Sequence, residues 1–529
     1  MNSKVKRSII ILSVMLLPCL VVAALMGLAP VQSAQAQVAL YVDDDTCPAT
    51  GSGTQGSPYC HIQDAIDAAN DNYEIRVATG NYTGVQSVSV EQWYGVFTYT
   101  QVAIITKSLT LQGGYSPDDW YTPDPTANLT VIDAERQGRG VSIVGTYNVH
   151  PVVTVDGFTI TGGDSTGLGN EPGQSNQECS GTGADCGGGF YVYESAFTLR
   201  NCIITDNIAS HNYGNGGGLY VWKTTAPSRI ENTRIISNSA PDSVSTGGGM
   251  YMTRIYQPFT ITQSLYQENY AGHSGGGARF SSNIEALITI QDTDFVSNTA
   301  QSDTAGGMYI RLSQNGELLH MDRVRFQNNQ AYSRGGALYV DAAGPYLPKA
   351  RLTNLLFTGN SLTSATAEDA VVGINGQFTS LEVEMSHVTA ADNSAVTFLI
   401  AWPGSDLGDV LTVTVKNALL SFFTNAFAAN EWENGEVVIQ HENTLTQYVT
   451  NLHQTVGGSP TFTAVNPLTG DPKLSATYHL QSGSAAIDAG VDAGVTTDLD
   501  GEARPNGTAP DIGADEFVVY NVFLPAILR

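Results

Sequence analysis

The feature of this sequence that most constrains its fold is a glycine cluster that recurs at nearly constant spacing. Each cluster leads into a short strand-like pattern such as FYVY, LYVW or MYMT, and each unit closes on Asn-x-Ala or a close variant. The cluster starts are 29, 31, 28, 30 and 29 residues apart, at Gly187, Gly216, Gly247, Gly275, Ala305 and Arg334. A fixed period with short strands and turn residues is typical of a solenoid.

A parallel β-helix explains each part of this repeat. Glycine reaches backbone conformations that a Cβ would obstruct, so it suits the corner of a coil. Asparagine tolerates left-handed backbone, and stacked asparagines form hydrogen-bonded ladders along an axis. The closing asparagines are Asn207, Asn238, Asn269, Asn298, Asn329 and Asn360, with Asn393 as a later echo. One coil cannot bury its own inner face, so stability must come from stacking, and we predict an all-β solenoid.

The GGG-x-Y…N-x-A unit resembles the repeats of pectin-lyase-like β-helix proteins, including the polymorphic outer-membrane type. The segment LYVDDDTCPATGSGTQGSPYCHIQDAIDAANDNYEIRVATGNYTG resembles the entry into these folds, in which a short helix, here Ile62 to Ala69, caps the first coil. The stretch TYHLQSGSAAIDAG…DGEARPNGTAPDIGADEF resembles the module called choice-of-anchor Q. The resemblance implies a right-handed, single-stranded parallel β-helix with a small C-terminal module.

The N-terminus predicts export. Lys4, Lys6 and Arg7 precede a long apolar run, and Ala34-Gln35-Ala36 fits a cleavage site, although an uncleaved anchor stays open. In an exported chain, the spacing of Cys47 to Cys60 and of Cys179 to Cys186 suits two local disulfides, and Cys202 remains as a buried thiol. The protein is therefore expected to be secreted or displayed at the cell surface, with an outer-membrane association as one route.

The expected organisation has five parts. They are a signal peptide (1–36), an N-terminal cap with the first coils (37–155), the repeat β-helix (156–455), the choice-of-anchor Q-like module (456–517) and an apolar tail (518–529). The tail is too short to span a bilayer and is either a last capping strand or a sorting address. No segment after residue 36 is long and apolar enough to span a membrane, and we expect a monomer.

The net negative charge of the chain limits the classes of binding partner that we expect. Lys and Arg total 23 against 50 Asp and Glu, a formal net charge of −27. Such a surface repels nucleic acid and anionic membranes. It suits divalent cations or neutral ligands, or serves solubility alone.

An aromatic row is predicted on the outer side of the strands that follow the glycine clusters. Side chains alternate along a strand, so Phe190, Leu219 and Met250 should face the core and their neighbours should face outward. We expect this outer row to bind an extracellular polysaccharide by ring stacking, with its arginines holding carboxylates; the alternative is that the rings only stabilise the sheet. The predicted ligand-binding residues are Tyr191, Tyr220, Trp222, Tyr251, Arg279, Tyr309, Arg311 and Tyr339.

A second candidate site is a charged cluster on neighbouring coils. Asp292, Asp294, Asp322 and Arg323 are the candidate catalytic residues, because glycan hydrolysis needs paired carboxylates and a lyase needs a basic side chain beside carboxylates. An ion pair between coils explains the same pattern. The NTD, GHG, RIK and RxPxxR motifs of related enzymes do not occur in the sequence.

Calcium is the one cofactor that the sequence suggests. Asp498 and Asp500 are the candidate ligands, although Asp and Gly also form turns in this pattern. The resulting hypothesis is a β-helix that binds extracellular glycan or acts as an adhesive scaffold. The alternative is a polysaccharide lyase or hydrolase of the pectate-lyase type that acts on acidic polysaccharide. A flat aromatic face favours binding, and a groove with convergent carboxylates and arginine favours the enzyme.

Overall fold

The computed structural model describes residues 38–92, 95–168, 185–364, 366, 368–377, 379–404, 408–431 and 434–518. Its strands wind as a right-handed parallel β-helix with a cap helix and a small C-terminal module, which confirms the predicted fold class. One antiparallel hairpin, formed by Gln86–Gln92 and Gly95–Ile105, departs from the parallel pairing. Within the described ranges, no helix has the length and apolar character needed to cross a bilayer.

The strands fall into four stacks. We call the first stack the glycine strands. In addition to the hairpin, this stack consists of Arg139–Val144, Phe190–Arg200, Leu219–Thr224, Met250–Ile255, Ala278–Phe280, Met308–Leu312, Leu338–Ala342, Ala370–Asn375, Thr397–Trp402, Asn425–Asn430 and Asn451–Gly457. The long strands are Ala39–Val42, Tyr73–Ala78, Leu109–Tyr115, Val152–Asp156, Ser228–Glu231, Phe259–Thr262, Ile288–Val296, Gly316–Gln327, Pro348–Thr358, Leu381–Ala391, Val410–Ser421, Glu436–Glu442 and Thr461–Val465.

Two shorter stacks complete each coil. A third stack follows the long strands at a bend and consists of Gly80–Tyr82, Thr130–Asp133, Thr159–Thr161, Ile203–Thr205, Arg234–Ile236, Leu265–Gln267, Leu445–Gln447 and Leu468–Thr469. In several middle coils one strand runs through this bend. The fourth is a separate ladder of Ser239–Ala240, Tyr270–Ala271, Thr299–Ala300, Gln330–Ala331 and Ser361–Leu362.

The inner face of the glycine strands forms the core, as predicted. Phe190, Leu219 and Met250 pair in register between coils and have no exposed surface. Glycine is required at the corner itself: Gly216 has a φ of +68°, and a Cβ there would lie 2.4 Å from a backbone oxygen. The repeat therefore places one identical apolar layer after another inside the coil.

The predicted asparagine ladder exists and is buried. Each side-chain amide donates to the side-chain oxygen of the asparagine on the next coil, for example Asn269 to Asn298 at 2.9 Å. The same chain of hydrogen bonds runs through Asn207, Asn238, Asn269, Asn298, Asn329, Asn360 and Asn393. Each amide thereby satisfies a buried partner that has no access to water.

The N-terminal end is closed by the helix Ile62–Ala68, next to a 3₁₀ turn at Asp44–Thr46. Cys47 and Cys60 form a disulfide with their Cα atoms 5.0 Å apart. Cys202 is buried, and burial raises the pKa of its thiol to about 12. Cys179, the other half of the second predicted disulfide with Cys186, lies outside the described residues, as do the signal segment 1–36 and the tail from residue 519.

Candidate functional site

The tyrosine row on the outer side of the glycine strands is buried, so the expectation of an exposed aromatic face is wrong. Tyr191 and Tyr220 have no exposed surface. The other members expose at most 7%; they are Tyr251, Tyr309, Tyr339 and Trp222. The alternation assigned the side of the strand correctly, but a strand pattern does not reveal what covers that side. Tyr99 from the antiparallel hairpin packs on Tyr191, with ring centroids 5.7 Å apart.

The two arginines of this row also interact with side chains of the protein itself. The guanidinium carbon of Arg279 lies 4.0 Å from the ring centroid of Tyr309. Arg311 donates to the buried carboxylate of Asp341 at 2.6 Å, and the Tyr309 hydroxyl donates to the same oxygen. Stacked rings and cation–π contacts stabilise the sheet, as the alternative interpretation held. A sugar has no accessible ring face on which to stack here.

Three of the four predicted catalytic residues are in direct contact, and the fourth, Asp294, pairs with a different arginine. Arg323 donates to both oxygens of Asp292, at 2.6 and 2.9 Å, and to Asp322 at 2.6 Å. Asp294 lies 3.5 Å from Arg325, and burial raises the pKa of its carboxyl. Each carboxylate therefore faces an arginine on its own or the next coil, which is the arrangement of an ion pair between coils.

The bend after the long strands carries a row of left-handed residues, which we call the corner row. It consists of Asn201, Asn232, Gln263, Asp292, Arg323, Asn354, His387, Asn417 and Asn443, with φ between 45° and 55°. Asparagine and aspartate adopt this conformation more readily than most residues. The charged cluster is thus one part of a row that runs from Asn201 to Asn443.

The C-terminal module docks on the later part of the corner row. Asn417 exchanges two hydrogen bonds with the backbone of Val491, at 2.7 and 2.8 Å. Asn443 donates to the Ala489 carbonyl at 2.6 Å. His387 is buried against Arg504, and this burial lowers the pKa of the imidazole to about 3. These contacts hold the module beside the long strands.

Docking of the module creates a groove of about 460 Å³. Residues 493–497 of the module form one wall, and the outer face of the long strands forms the floor. The floor side chains alternate along four successive coils and therefore share one face: His320, Asp322, Arg351, Thr353, Glu384, Ser386, Thr414 and Lys416. The groove is polar, and it carries charges of both signs.

The two strong cations of the groove are weakly held. Arg351 lies 3.4 Å from Glu317 and 3.7 Å from Glu384, and its side chain is 51% exposed. Lys416 lies 3.8 Å from Glu442 and is 40% exposed. Ion pairs of this length between exposed groups contribute little free energy. Both cations are therefore available to oxygen atoms of a ligand.

The predicted calcium ligands have other partners. Asp498 is buried and accepts backbone N–H groups from Asp500, Glu502 and Glu516. Asp500 accepts from Arg325 at 2.6 Å and lies 2.8 Å from His479. Oxygen and nitrogen atoms of two overlapping groups do converge within 4.8 Å: His479, Asp500 and Asp515, and Asp498, Glu502 and Asp515. Calcium prefers oxygen ligands, so only the second group fits it, and Asp498 would have to give up backbone bonds.

Sequence reasoning missed the groove, because its two walls are far apart in the chain. The available signal was the outward polar set HMD, RLT, EMS and TVK, which recurs at equivalent strand positions in four coils. No sequence pattern indicated that residues 493–497 would lie beside it.

Comparison with known proteins gives fold neighbours of low similarity. No protein-family model matches the chain. No curated protein matches it either. The catalytic unit of a thermostable GH87 alpha-1,3-glucanase from Streptomyces thermodiastaticus strain HF3-3 has a TM-score of 0.41 and 13% identity, covering 82% of this chain and 69% of that chain. Pectate lyase Pel9A has a TM-score of 0.36 and 12% identity, and the match covers 91% of this chain and 96% of the lyase chain.

A third neighbour is DFA-IIIase from Arthrobacter chlorophenolicus A6 in complex with GF2, with a TM-score of 0.34 and 12% identity. The match covers 71% of this chain and 84% of the DFA-IIIase chain. These overlaps are loose. The fold assignment rests on the strand topology of this chain.

Proposed function

We propose that this protein is an exported or surface-displayed β-helix protein that binds an extracellular polysaccharide in the groove beside the C-terminal module. The observation that carries the proposal is the polar groove itself, which runs across four coils. A floor built from successive coils repeats at about 4.8 Å, so it offers polar and charged groups at regular intervals to an extended chain. Most of the lining side chains are polar or charged, and the apolar ones are Met385, Ala493 and Val495, which suits a hydroxyl-rich ligand better than a compact hydrophobic one.

Two features support export and display. The Cys47–Cys60 disulfide fits an oxidising compartment. The C-terminal segment, which resembles a choice-of-anchor Q module, would then add a wall to the binding groove as well as any role in attachment. We keep calcium as a proposed cofactor, to be tested in the same assay.

The test is gel retardation of the chain from Gln37 onward in a series of acidic and neutral polysaccharides, with and without calcium. We expect retardation by at least one polysaccharide, and the double variant Arg351→Ala/Lys416→Ala should lose most of it. The matched control is Arg229→Ala, because Arg229 is an exposed arginine in the same outward row but outside the groove. Failure of every polysaccharide to retard the protein would overturn the proposal.

Reducing ends are counted in the same samples. We expect none to appear, because the carboxylates of the Asp292–Arg323 cluster are paired with arginines. Release of reducing ends that Asp322→Asn abolishes would replace binding by the lyase or hydrolase alternative.

A further inference from the structure

An exposed aromatic pair stands on the outside of the helix, away from the groove floor. Phe422 and Tyr448 occupy equivalent positions on successive coils, since Ser421 pairs with Gln447. Their rings stack with centroids 4.8 Å apart and an interplanar angle of 28°. Phe422 is 54% exposed and Tyr448 is 70% exposed. A ring with this exposure that is stacked on one side by Phe422 must present its other face to solvent.

The backbone at this pair is strained. Both residues have left-handed φ angles, 63° at Phe422 and 54° at Tyr448. Earlier coils place small or polar residues at the equivalent position, which are Asp206, Ser237, Glu268, Ser297, Asn328, Gly359 and Asp392. Bulky side chains are rare in this conformation, and backbone strain concentrates at functional sites. Two adjacent coils thus carry large aromatic rings where the conformation disfavours them, and both rings point into solvent.

The group beyond the exposed ring face indicates the ligand. Asp471 is exposed and follows Tyr448 by one coil, since Thr446 pairs with Thr469, and it accepts a hydrogen bond from Gln447 at 3.1 Å. Carboxylates accept hydrogen bonds from hydroxyl groups and repel anions. The whole chain is also strongly acidic, with a formal charge of −27. An apolar ring face beside a carboxylate acceptor fits a neutral, hydroxyl-rich sugar ring.

We propose that Tyr448, backed by Phe422, forms a stacking surface for a neutral sugar residue of a glycan, with Asp471 accepting hydrogen bonds from its hydroxyls. This proposal rests on the proposed glycan-binding function and adds a second contact of different chemistry from the charged groove. Aromatic rings that are amphipathic and already ordered bind at little cost in side-chain entropy.

The experiment uses the double variant Phe422→Asn/Tyr448→Asn. Asparagine occupies the same position at Asn328, so the backbone conformation is retained. The matched control is Tyr332→Asn, which removes a lone tyrosine that is 49% exposed elsewhere. Binding of linear hexamers of glucose, mannose and xylose, and of a uronic acid hexamer, is measured by calorimetry for the wild type, both variants and the groove variant Arg351→Ala/Lys416→Ala.

We expect at least one neutral hexamer to bind the wild type and the Tyr332→Asn control equally, and the double asparagine variant to bind it about tenfold more weakly or worse. Tyr448→Phe should keep most of the affinity, because the ring face is unchanged. If the double asparagine variant binds all hexamers like the wild type while the groove variant loses binding, the stacking surface is wrong and the proposed function stands. If no hexamer and no polysaccharide binds the wild type, both fail.

Two further outcomes also overturn the stacking surface. One is binding that is restricted to the uronic acid hexamer. The other is a wild type that elutes as a dimer in size-exclusion chromatography while the double asparagine variant elutes as a monomer, which would make the pair a contact between two copies of the chain. Equal melting temperatures of the wild type and variants exclude misfolding as the cause of a loss.

Discussion

The coils before and after residue 364 differ in how their polar groups find partners. In the earlier coils each asparagine that closes a repeat unit bonds to the asparagine one coil on, as Asn269 does with Asn298. In the later coils, polar side chains at the bend form hydrogen bonds with the C-terminal module, as Asn417 does with the backbone of Val491. The glycine clusters also stop in these later coils. The asparagine ladder of the regular part is satisfied within the helix, whereas the C-terminal module supplies partners on the outside of the coils from Arg325 to Asn443.

This difference shows where the solenoid gains specific surfaces. Identical layers produce one continuous wall with equivalent positions, and such a wall distinguishes no place along the axis. The groove and the Phe422–Tyr448 pair both involve the irregular coils, where residues at equivalent positions differ in charge and size. Departures from a local rule are expected at functional sites.

The largest effect should follow from breaking the asparagine ladder in the regular part. Asn269→Ala removes the donor to Ile235 and Asn298 and the acceptor for Asn238, all of them buried. Each orphaned group costs about 1–3 kcal/mol, so we expect a loss of about 3–5 kcal/mol in the free energy of unfolding, measured by denaturant titration.

The matched control for this prediction is Gln267→Ala in the same coil, whose side chain donates a hydrogen bond to neighbouring Glu268 on the surface. It should change the free energy of unfolding by less than about 0.5 kcal/mol. Equal losses for the two variants would mean that the ladder does not stabilise the regular coils.

Much of the regular part was predictable from the sequence, and most of the irregular part was not. The repeat predicted the coil, the inward residues such as Leu219 and the ladder through Asn393, because each depends on neighbours one period away. The burial of Tyr191 depends on Tyr99, and the bond from Arg325 to Asp500 spans 175 residues. Periodicity and alternation carry no information about such distant partners. The predicted exposure of the aromatic row was therefore wrong, and the groove was not predicted.

Protonation of His387 should weaken the docking of the C-terminal module as the pH falls. The folded pKa of His387, about 3, lies below its ordinary value of 6.5, first because the ring is buried and then because Arg504 is close. The unfolded or undocked chain thus binds the proton more tightly. The stability that this histidine contributes is complete above about pH 6.5 and is lost as the pH falls towards 3, by about 2 kcal/mol or more.

Limited proteolysis of the module between pH 7 and pH 4 measures this effect. His387→Asn should remove part of the acid dependence, and asparagine suits the left-handed backbone there, as it does at Asn354 and Asn417. His211→Asn, on an exposed histidine, is the control and should behave like the wild type. An unchanged pH profile in His387→Asn would show that the module does not depend on this contact.

The pH dependence of stability that comes from Asp515 should have the opposite sign to that from His387. Burial raises the pKa of its carboxyl from 3.8 to about 7. The folded protein therefore binds this proton more tightly, and stability is lost as the pH rises from about 4 through 7. Asp515→Asn keeps an oxygen for the Leu480 N–H and should raise stability at pH 8 by about 1 kcal/mol relative to the wild type, measured by thermal unfolding.

The effect of calcium on the melting temperature tests whether the C-terminal module binds the ion. If the group of Asp498, Glu502 and Asp515 binds the ion, calcium should stabilise the wild type at pH 8 and leave Asp515→Asn unaffected. Equal melting temperatures of the wild type with and without calcium would remove the proposed cofactor.

The smallest stability effect should come from the charged part of the corner row, which lies on the outside of regular coils. Arg323→Asn removes the bonds to Asp292 and Asp322, yet the Asp292 side chain is 40% exposed and water can replace the lost partner. Asparagine fits the φ of 55° at this position. We expect a loss of at most about 1 kcal/mol by denaturant titration. A loss as large as that of Asn269→Ala would mean that the outer row holds the coils together as firmly as the buried ladder, and the distinction between inner and outer polar rows would fail. A small loss leaves the ladder as the polar element that sets coil register, because water cannot substitute for its partners.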